Sequence, residues 1–173
     1  MKAWFLLFLV AFNFLTINLK AQEGSDSSTL VAVSQQCPDF SFIDENGATH
    51  QLQDLRGKVV LVNFFATWCG PCMQELPHVQ KEIFDKYSNN PNFVLLTIGR
   101  EHSQQEMKAF KDKKAFNFNI IADPKREIYS KFATQFIPRN FLIDANGEII
   151  YSSIGFDENE FAKLKETIED QLN

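Results

Sequence analysis

The chain contains only three cysteines in 173 residues, Cys37, Cys69 and Cys72. Three cysteines cannot all pair within one chain, and Cys69 and Cys72 lie too close in sequence for their pairing to staple a fold. A small secreted domain held together by several structural disulfides is therefore excluded. The close spacing of two of the three indicates chemistry at that position.

The chain also lacks an excess of basic residues, with 17 lysines and arginines against 22 acidic residues and a formal net charge of −5. Because nucleic-acid binding requires a basic patch, we expect no nucleic-acid partner. The sequence has no internal repeats. Beyond the N-terminal region, no segment is apolar enough to suggest a membrane span.

The N-terminus has the order of a secretory signal: Lys2, an apolar stretch over 4–15 broken by Asn13, and a small residue at Ala21. We expect cleavage after Ala21, which makes the protein periplasmic or otherwise extracytoplasmic. Cleavage removes two lysines and no acid, so the net charge becomes −7. The alternative is an uncleaved membrane anchor, but the apolar run is shorter than the roughly 20 residues that a span needs.

The remainder divides into a linker and one domain. Residues 22–36 are rich in serine with little apolar pattern, which predicts a flexible linker. Residues 37–173 have the size of one ordinary domain. Any contact with the membrane would then come through an uncleaved anchor.

Hydrophobic patterning along the domain alternates between strands and helices. A nearly continuous apolar run over 58–66 is typical of a strand buried on both faces. The other predicted strands are 40–43, 49–52, 92–99, 118–122, 140–144 and 148–153, and the predicted helices are 71–87 kinked by Pro77, 103–114 capped by Ser103 and Glu106, 125–133, and one from 157 or 158 to 172. This order predicts an α/β fold with a central mixed sheet flanked by helices.

The sequence Cys69-Gly70-Pro71-Cys72 falls where the buried strand gives way to a helix. A helix N-terminus carries partial positive charge and free N–H groups, which stabilise a thiolate. Cys69 is therefore the expected nucleophile, and Cys72 lies close enough to form the disulfide that releases a bound partner. Gly70 leaves room for a substrate backbone, and Pro71 suits the first helical turn.

The alternative for two cysteines at this spacing is half of a zinc site. A second pair of ligands would have to come from Cys37, His50, His78 and His102, which are scattered and show no ligand spacing. We expect no metal and no cofactor.

The domain resembles the thioredoxin superfamily, specifically its exported TlpA/ResA-like branch. The resemblance rests on residues 38–40, 55–58, 62–72, 75–77 and 137–144, followed by Asn146 and Gly147. It implies a thioredoxin-like fold with an N-terminal β-hairpin and an inserted helix before the strand at Phe118. It also implies a thiol–disulfide oxidoreductase acting on protein substrates and recycled by a membrane redox partner, with cytochrome c maturation as one cellular setting. The Gly70-Pro71 pair resembles that of reducing thioredoxins and favours a reductant.

The resemblance also implies roles for individual residues. Pro138 is expected to be a cis-proline facing the disulfide, where it blocks metal binding and, with Ile137, contacts an extended substrate. Trp68 is expected to shield the disulfide and shape the docking surface. Cytosolic thioredoxins carry a buried aspartate six residues before the first cysteine, whereas this chain has Asn63, which cannot exchange a proton. Glu75 is therefore the expected buried proton acceptor beside Cys72.

Two other functions fit the same general fold. A peroxiredoxin-like peroxidase is one, although the pattern of proline and threonine that its peroxidatic loop places before the cysteine is absent here. A copper chaperone is the other, but three residues separate the cysteines in such proteins. Three further residues have two interpretations each: Cys37 as a small buried hydrophobe or a resolving or regulatory thiol, His102 as a solvated loop residue or a catalytic residue, and Arg139 as a partner contact or a surface residue.

Overall fold

Five strands form the central sheet of the structure, a computed structural model that describes residues 26–173. The predicted signal at 1–21 lies outside the described residues. The strands are β1 (Ser41–Ile43), β2 (Thr49–Gln51), β3 (Val59–Phe65), β4 (Phe93–Arg100), β5 (Ile120–Asp123), β6 (Arg139–Ile143) and β7 (Ile149–Ile154). The helices are α1 (Gly70–His78), α2 (Asp85–Tyr87), α3 (Gln104–Lys114) and α4 (Glu158–Leu172), with 3₁₀ turns at Leu52–Leu55 and Tyr129–Lys131.

The sheet is mixed, as predicted, with strand order β5-β4-β3-β6-β7. Strands β3, β4 and β5 run parallel, and β6 and β7 add antiparallel pairs beside β3. Strands β1 and β2 form a separate antiparallel hairpin, and α3 precedes the short strand β5, so the predicted hairpin and inserted helix are both present.

The core lies on both faces of β3, whose seven residues are all buried. Leu61 and Phe65 face the side on which α1, α3 and α4 pack. Val62 and Phe64 face the other side, which is covered by the hairpin and the 3₁₀ turns. Burial of each such side chain contributes about 1.5–3 kcal/mol. The apolar run thus fixes β3 in the middle of the molecule and places the residues that follow it at the end of a rigid strand.

The helical region predicted over 71–87 is continuous, but it contains a change of helix type and not the simple kink at Pro77 that the sequence predicts. Pro77 lies inside α1 and supplies no backbone N–H. A π-helical segment, Val79–Phe84, follows at once and leads into α2. The wider turn is a known way for a helix to accommodate such a break.

The predicted helix over 125–133 is wrong: only Tyr129–Lys131 forms a 3₁₀ turn. The Asp123 carboxylate accepts the backbone N–H groups of Ile128 and Tyr129, at 3.2 and 2.8 Å. Arg126 adopts a left-handed conformation, φ 60°. These features interrupt the helical ladder that the local pattern suggested.

The segment 26–36, which the composition assigns to a flexible linker, packs against the domain instead. Thr29 forms an antiparallel bridge with Ala133, and Gln36 forms one with Glu148. Val31 is buried in the core beneath the sheet. The packed unit therefore begins before Cys37. Among residues 26–173, no helix is long and apolar enough to cross a bilayer.

Candidate active site

Cys69 and Cys72 are joined by a disulfide, with an S–S distance of 2.07 Å. Cys69 is the N-cap of α1, and its Sγ accepts the backbone N–H of Cys72 at 3.2 Å. The relative exposure of Cys69 is 5%, whereas Cys72 is completely buried. Of the two sulfurs, the one at the helix N-terminus is therefore the one that a substrate can reach.

The loop before β6 lies next to Cys69, across the site from α1. The Ile137–Pro138 peptide bond is cis, as predicted. The carbonyl oxygen of Ile137 lies 3.6 Å from Cys69 Sγ. The carbonyl of Pro138 is already occupied, because it accepts the N–H of Gly155 at 2.8 Å. Ile137 therefore offers the backbone group of this loop that stands next to the reactive sulfur.

Glu75 is buried beneath the disulfide helix and held by two amides from the sheet. Asn63 Nδ2 donates to Glu75 Oε2 at 2.8 Å, and Asn140 Nδ2 donates to Oε1 at 2.6 Å. The two asparagines face each other across β3 and β6, where Asn63 Nδ2 also donates to Asn140 Oδ1 at 2.8 Å. The carboxyl thus has a hydrogen bond on each oxygen and no contact with solvent.

The environment of Glu75 acts on its pKa in two opposing ways. Burial raises the pKa to about 7, and the hydrogen bonds from Asn140 and Asn63 and the charge of His78 partly offset that rise. A carboxyl with this pKa can accept or release a proton near neutral pH. Glu75 follows Cys72 by three residues, on the same face of α1.

Trp68 stands at the rim of the site and is 61% exposed. The guanidinium of Arg100 lies 5.3 Å from the centre of the Trp68 ring and 4.8 Å from that of Tyr129. A cation held between two aromatic faces stabilises both rings. Arg100 therefore stabilises the position of Trp68, while most of the Trp68 side chain stays exposed and can contact a partner.

The sequence between residues 32 and 168 matches the model of the Redoxin family. The chain belongs to the Redoxin family. It is a thiol–disulfide oxidoreductase of the ResA type. It is 33% identical to the thiol–disulfide oxidoreductase ResA of Geobacillus kaustophilus over 121 residues, which cover 70% of this chain and 68% of that protein. It is 34% identical to the thioredoxin-like protein YneN of Bacillus subtilis over 129 residues, which cover 74% of this chain and 75% of that one.

Solved structures agree with the thioredoxin-like fold. A Bacteroides thetaiotaomicron protein, provisionally named a protein disulfide isomerase, superposes with a TM-score of 0.80 at 34% identity. The match covers 84% of this chain and 92% of that one. The fold predicted from the sequence is confirmed.

Two residues of this redoxin are buried where the sequence suggested a surface position. His102 packs behind the active-site loop, and its Nε2 accepts the backbone N–H of Thr67 at 3.0 Å. The expectation of a solvated loop residue is therefore wrong. Arg139 is fully buried as well, which corrects its assignment to the surface. Neither burial has a local signal, since both depend on segments distant in sequence.

Cys37 lies in the core on the opposite face of the sheet from the Cys69–Cys72 disulfide. Burial raises the pKa of its thiol to about 12, so it stays protonated at neutral pH. This favours the interpretation as a small buried hydrophobe. Within residues 26–173, no three His, Cys, Asp or Glu side chains are grouped so as to hold a metal ion.

Proposed function

We propose that this redoxin is an exported reductant of protein disulfides that works through Cys69 and Cys72. The observation that carries the proposal is the disulfide at the N-terminus of α1, with Cys69 Sγ 3.6 Å from the Ile137 carbonyl. The family's activity implies protein thiols and disulfides as substrates. An extended substrate segment placed beside Ile137 and Pro138 would bring its disulfide to Cys69, with Trp68, Gly70 and Pro71 completing the contact surface.

The reaction begins with the reduced dithiol. The Cys69 thiolate attacks one sulfur of the substrate disulfide; a mixed disulfide forms, and the second substrate sulfur leaves as a thiolate that takes up a proton. Cys72 then gives up its proton and attacks Cys69 Sγ, which forms the Cys69–Cys72 disulfide and releases the first substrate sulfur as a thiolate that takes up a proton. The substrate gains two electrons and two protons. The chain supplies both electrons and the Cys72 proton, and the second proton comes from solvent, which took it up when Cys69 ionised.

Glu75 serves the second step as proton acceptor. Cys72 is completely buried, and a buried thiol is reluctant to ionise. Its attack requires a base within the same apolar interior. The carboxylate of Glu75, on the same helix face and with a pKa of about 7, can take that proton at neutral pH.

Each turnover leaves the chain oxidised, so a membrane redox partner must return two electrons to the pair. Export through the signal at 1–21 places the protein in the periplasm or another extracytoplasmic space, where such a partner can reach it. Cytochrome c maturation is a setting that supplies substrates there. Sequencing of the native N-terminus tests this assignment: we expect Gln22 as the first residue, and an intact Met1 on membrane-bound material would show an anchor instead.

Trapping of mixed disulfides tests the assignment of the two cysteines. With Cys72→Ser, Cys69 should hold its partners in a stable covalent complex, because the resolving sulfur is gone. Cys69→Ser is the matched control and should trap none. Equal trapping by both variants would refute the roles, and consumption of peroxide as fast as of protein disulfide would favour a peroxidase.

A further inference from the structure

Arg139, the residue after the cis-proline, is a fully buried cation that joins two distant parts of the chain. Its Nε donates to the carbonyls of Gln135 and Phe136, at 3.1 and 3.2 Å. The other two guanidinium nitrogens also donate hydrogen bonds. Nη1 donates to Thr29 Oγ1 in the N-terminal segment at 2.7 Å. In the same segment Nη2 donates to Ser28 Oγ, and to Asp26 Oδ2 at 3.4 Å; it also donates to the Gln135 carbonyl in the loop at 2.9 Å.

The loop at 135–136, to which Arg139 donates its hydrogen bonds, has an unfavourable backbone conformation at Phe136. Phe136 has a φ of 68°, in the left-handed region that side chains with a Cβ rarely adopt. Its carbonyl accepts two hydrogen bonds, from Arg139 Nε and from the Tyr129 hydroxyl at 2.6 Å. Such a conformation persists only where the surroundings hold it. Ile137, whose carbonyl faces Cys69, is the next residue.

We propose that Arg139 is a positioning residue for binding of the protein substrate, and that residues 26–29 are the brace that keeps it in place. The proposal rests on the function proposed above. A buried guanidinium needs a counter-charge and acceptors for its donors, and Asp26, Ser28 and Thr29 supply them from a segment outside the sheet. Without the brace, Arg139 keeps its bonds to the Gln135 and Phe136 carbonyls but loses its counter-charge and two hydroxyl acceptors, so its position against the loop is no longer fixed from both sides.

The brace should act on substrate binding rather than on thiol chemistry. The sulfurs and Glu75 lie on the stretch from Cys69 to Glu75, whereas the Arg139 guanidinium bonds to the loop at 135–136 and to residues 26–29. A protein substrate lies along that loop in an extended form and depends on the position of the Ile137 carbonyl. A small disulfide can reach Cys69 without using the loop.

Two variants that leave Arg139 in place test the proposal: Asp26→Asn, which removes the counter-charge, and Thr29→Val, which removes one acceptor. Val33→Ala is the matched control, because Val33 lies in the same segment, is half-exposed and has no bond to Arg139. The assays are reduction of insulin disulfides, with kcat and KM measured separately, and reduction of hydroxyethyl disulfide. The loss of one bond to a charged group should raise the KM for insulin about tenfold or more, while kcat and the hydroxyethyl disulfide rate change less than about twofold.

The outcomes separate the two proposals. Thermal melting first establishes that each variant is folded, and Arg139→Lys, which keeps the charge but loses the forked geometry, should show the same rise in KM. If KM for insulin is unchanged in folded variants, or if both substrates slow equally, the brace has no part in substrate binding and the proposal fails. If the wild-type protein reduces neither substrate, the proposed function itself is wrong.

Discussion

Replacement of Glu75 by glutamine should remove part of the pH dependence of the free energy of unfolding of the oxidised protein. The pKa of Glu75 rises from an ordinary 4.5 to about 7 in the folded state, chiefly because of burial. Between these values the folded protein keeps a proton that the unfolded chain releases. The free energy of unfolding therefore falls as pH rises through this window, by about 1.4 kcal/mol per pH unit and about 3 kcal/mol in total. Below pH 4.5 the contribution vanishes, and above pH 7 the full cost is present.

Glutamine removes this titration. Its amide must also face donors from Asn63 and Asn140, which costs some stability at every pH. That cost is constant, so the informative quantity is the difference in unfolding free energy between Glu75→Gln and wild type. We expect it to shift in favour of the variant by about 3 kcal/mol from pH 4.5 to pH 8.

Urea unfolding of the oxidised proteins at half-unit pH intervals measures this difference, since groups that titrate in both proteins cancel. Glu82→Gln is the matched control with the opposite sign. Lys165 and His78 lower the pKa of Glu82, so its stabilising contribution exists above its ordinary pKa and is lost as pH falls. A pH-independent difference for Glu75→Gln would refute the reasoning, because it would mean that Glu75 has an ordinary pKa.

Three further predictions concern the same site and its surroundings. In stopped-flow reduction of a protein disulfide, Glu75→Gln should slow resolution of the mixed disulfide about 100-fold or more and abolish its rise across pH 6–8, while the first attack by Cys69 is retained; superimposable profiles would contradict this. His102→Ala should lower the unfolding free energy by about 1–3 kcal/mol because the Thr67 N–H loses its acceptor, whereas an unchanged value in chemical denaturation would show that the bond contributes nothing. Cys37→Ala should leave turnover unchanged in the insulin assay, and a loss of activity in a folded variant would restore a regulatory role.

The features that the sequence predicted well are those with local causes. The capping box of α3 depends on Ser103 and Glu106, three residues apart, and both of its hydrogen bonds are present. The buried strand β3 follows from its own apolar run, and the cysteine pair at the start of α1 follows from the change of pattern after it. Each of these depends on residues within one turn or one strand.

The features that sequence reasoning missed depend on contacts between distant segments. Asn140 is 65 residues from Glu75 in sequence, and it lies in a strand whose five residues are all buried, so no alternation of exposed and buried positions marks it. The packing of 26–36 depends on Ala133, Arg139 and Glu148, each more than 100 residues from its partner in this segment, so serine-rich composition alone suggested a linker. The interrupted helix after β5 results from the carboxylate of Asp123, whose preference for backbone N–H groups cannot be read from helical periodicity.

The placement of Glu75 on α1 has a consequence for how this activity could be transplanted. Both sulfurs and the carboxyl lie within one stretch from Cys69 to Glu75, so their spacing is set by the first turns of α1 and its N-cap. The sheet contributes two uncharged amide donors, Asn63 and Asn140, together with the burial that raises the pKa of Glu75. A related scaffold given this seven-residue stretch, two asparagines at the facing positions of its central strands and an equally buried position for the glutamate should therefore acquire the whole proton-coupled unit.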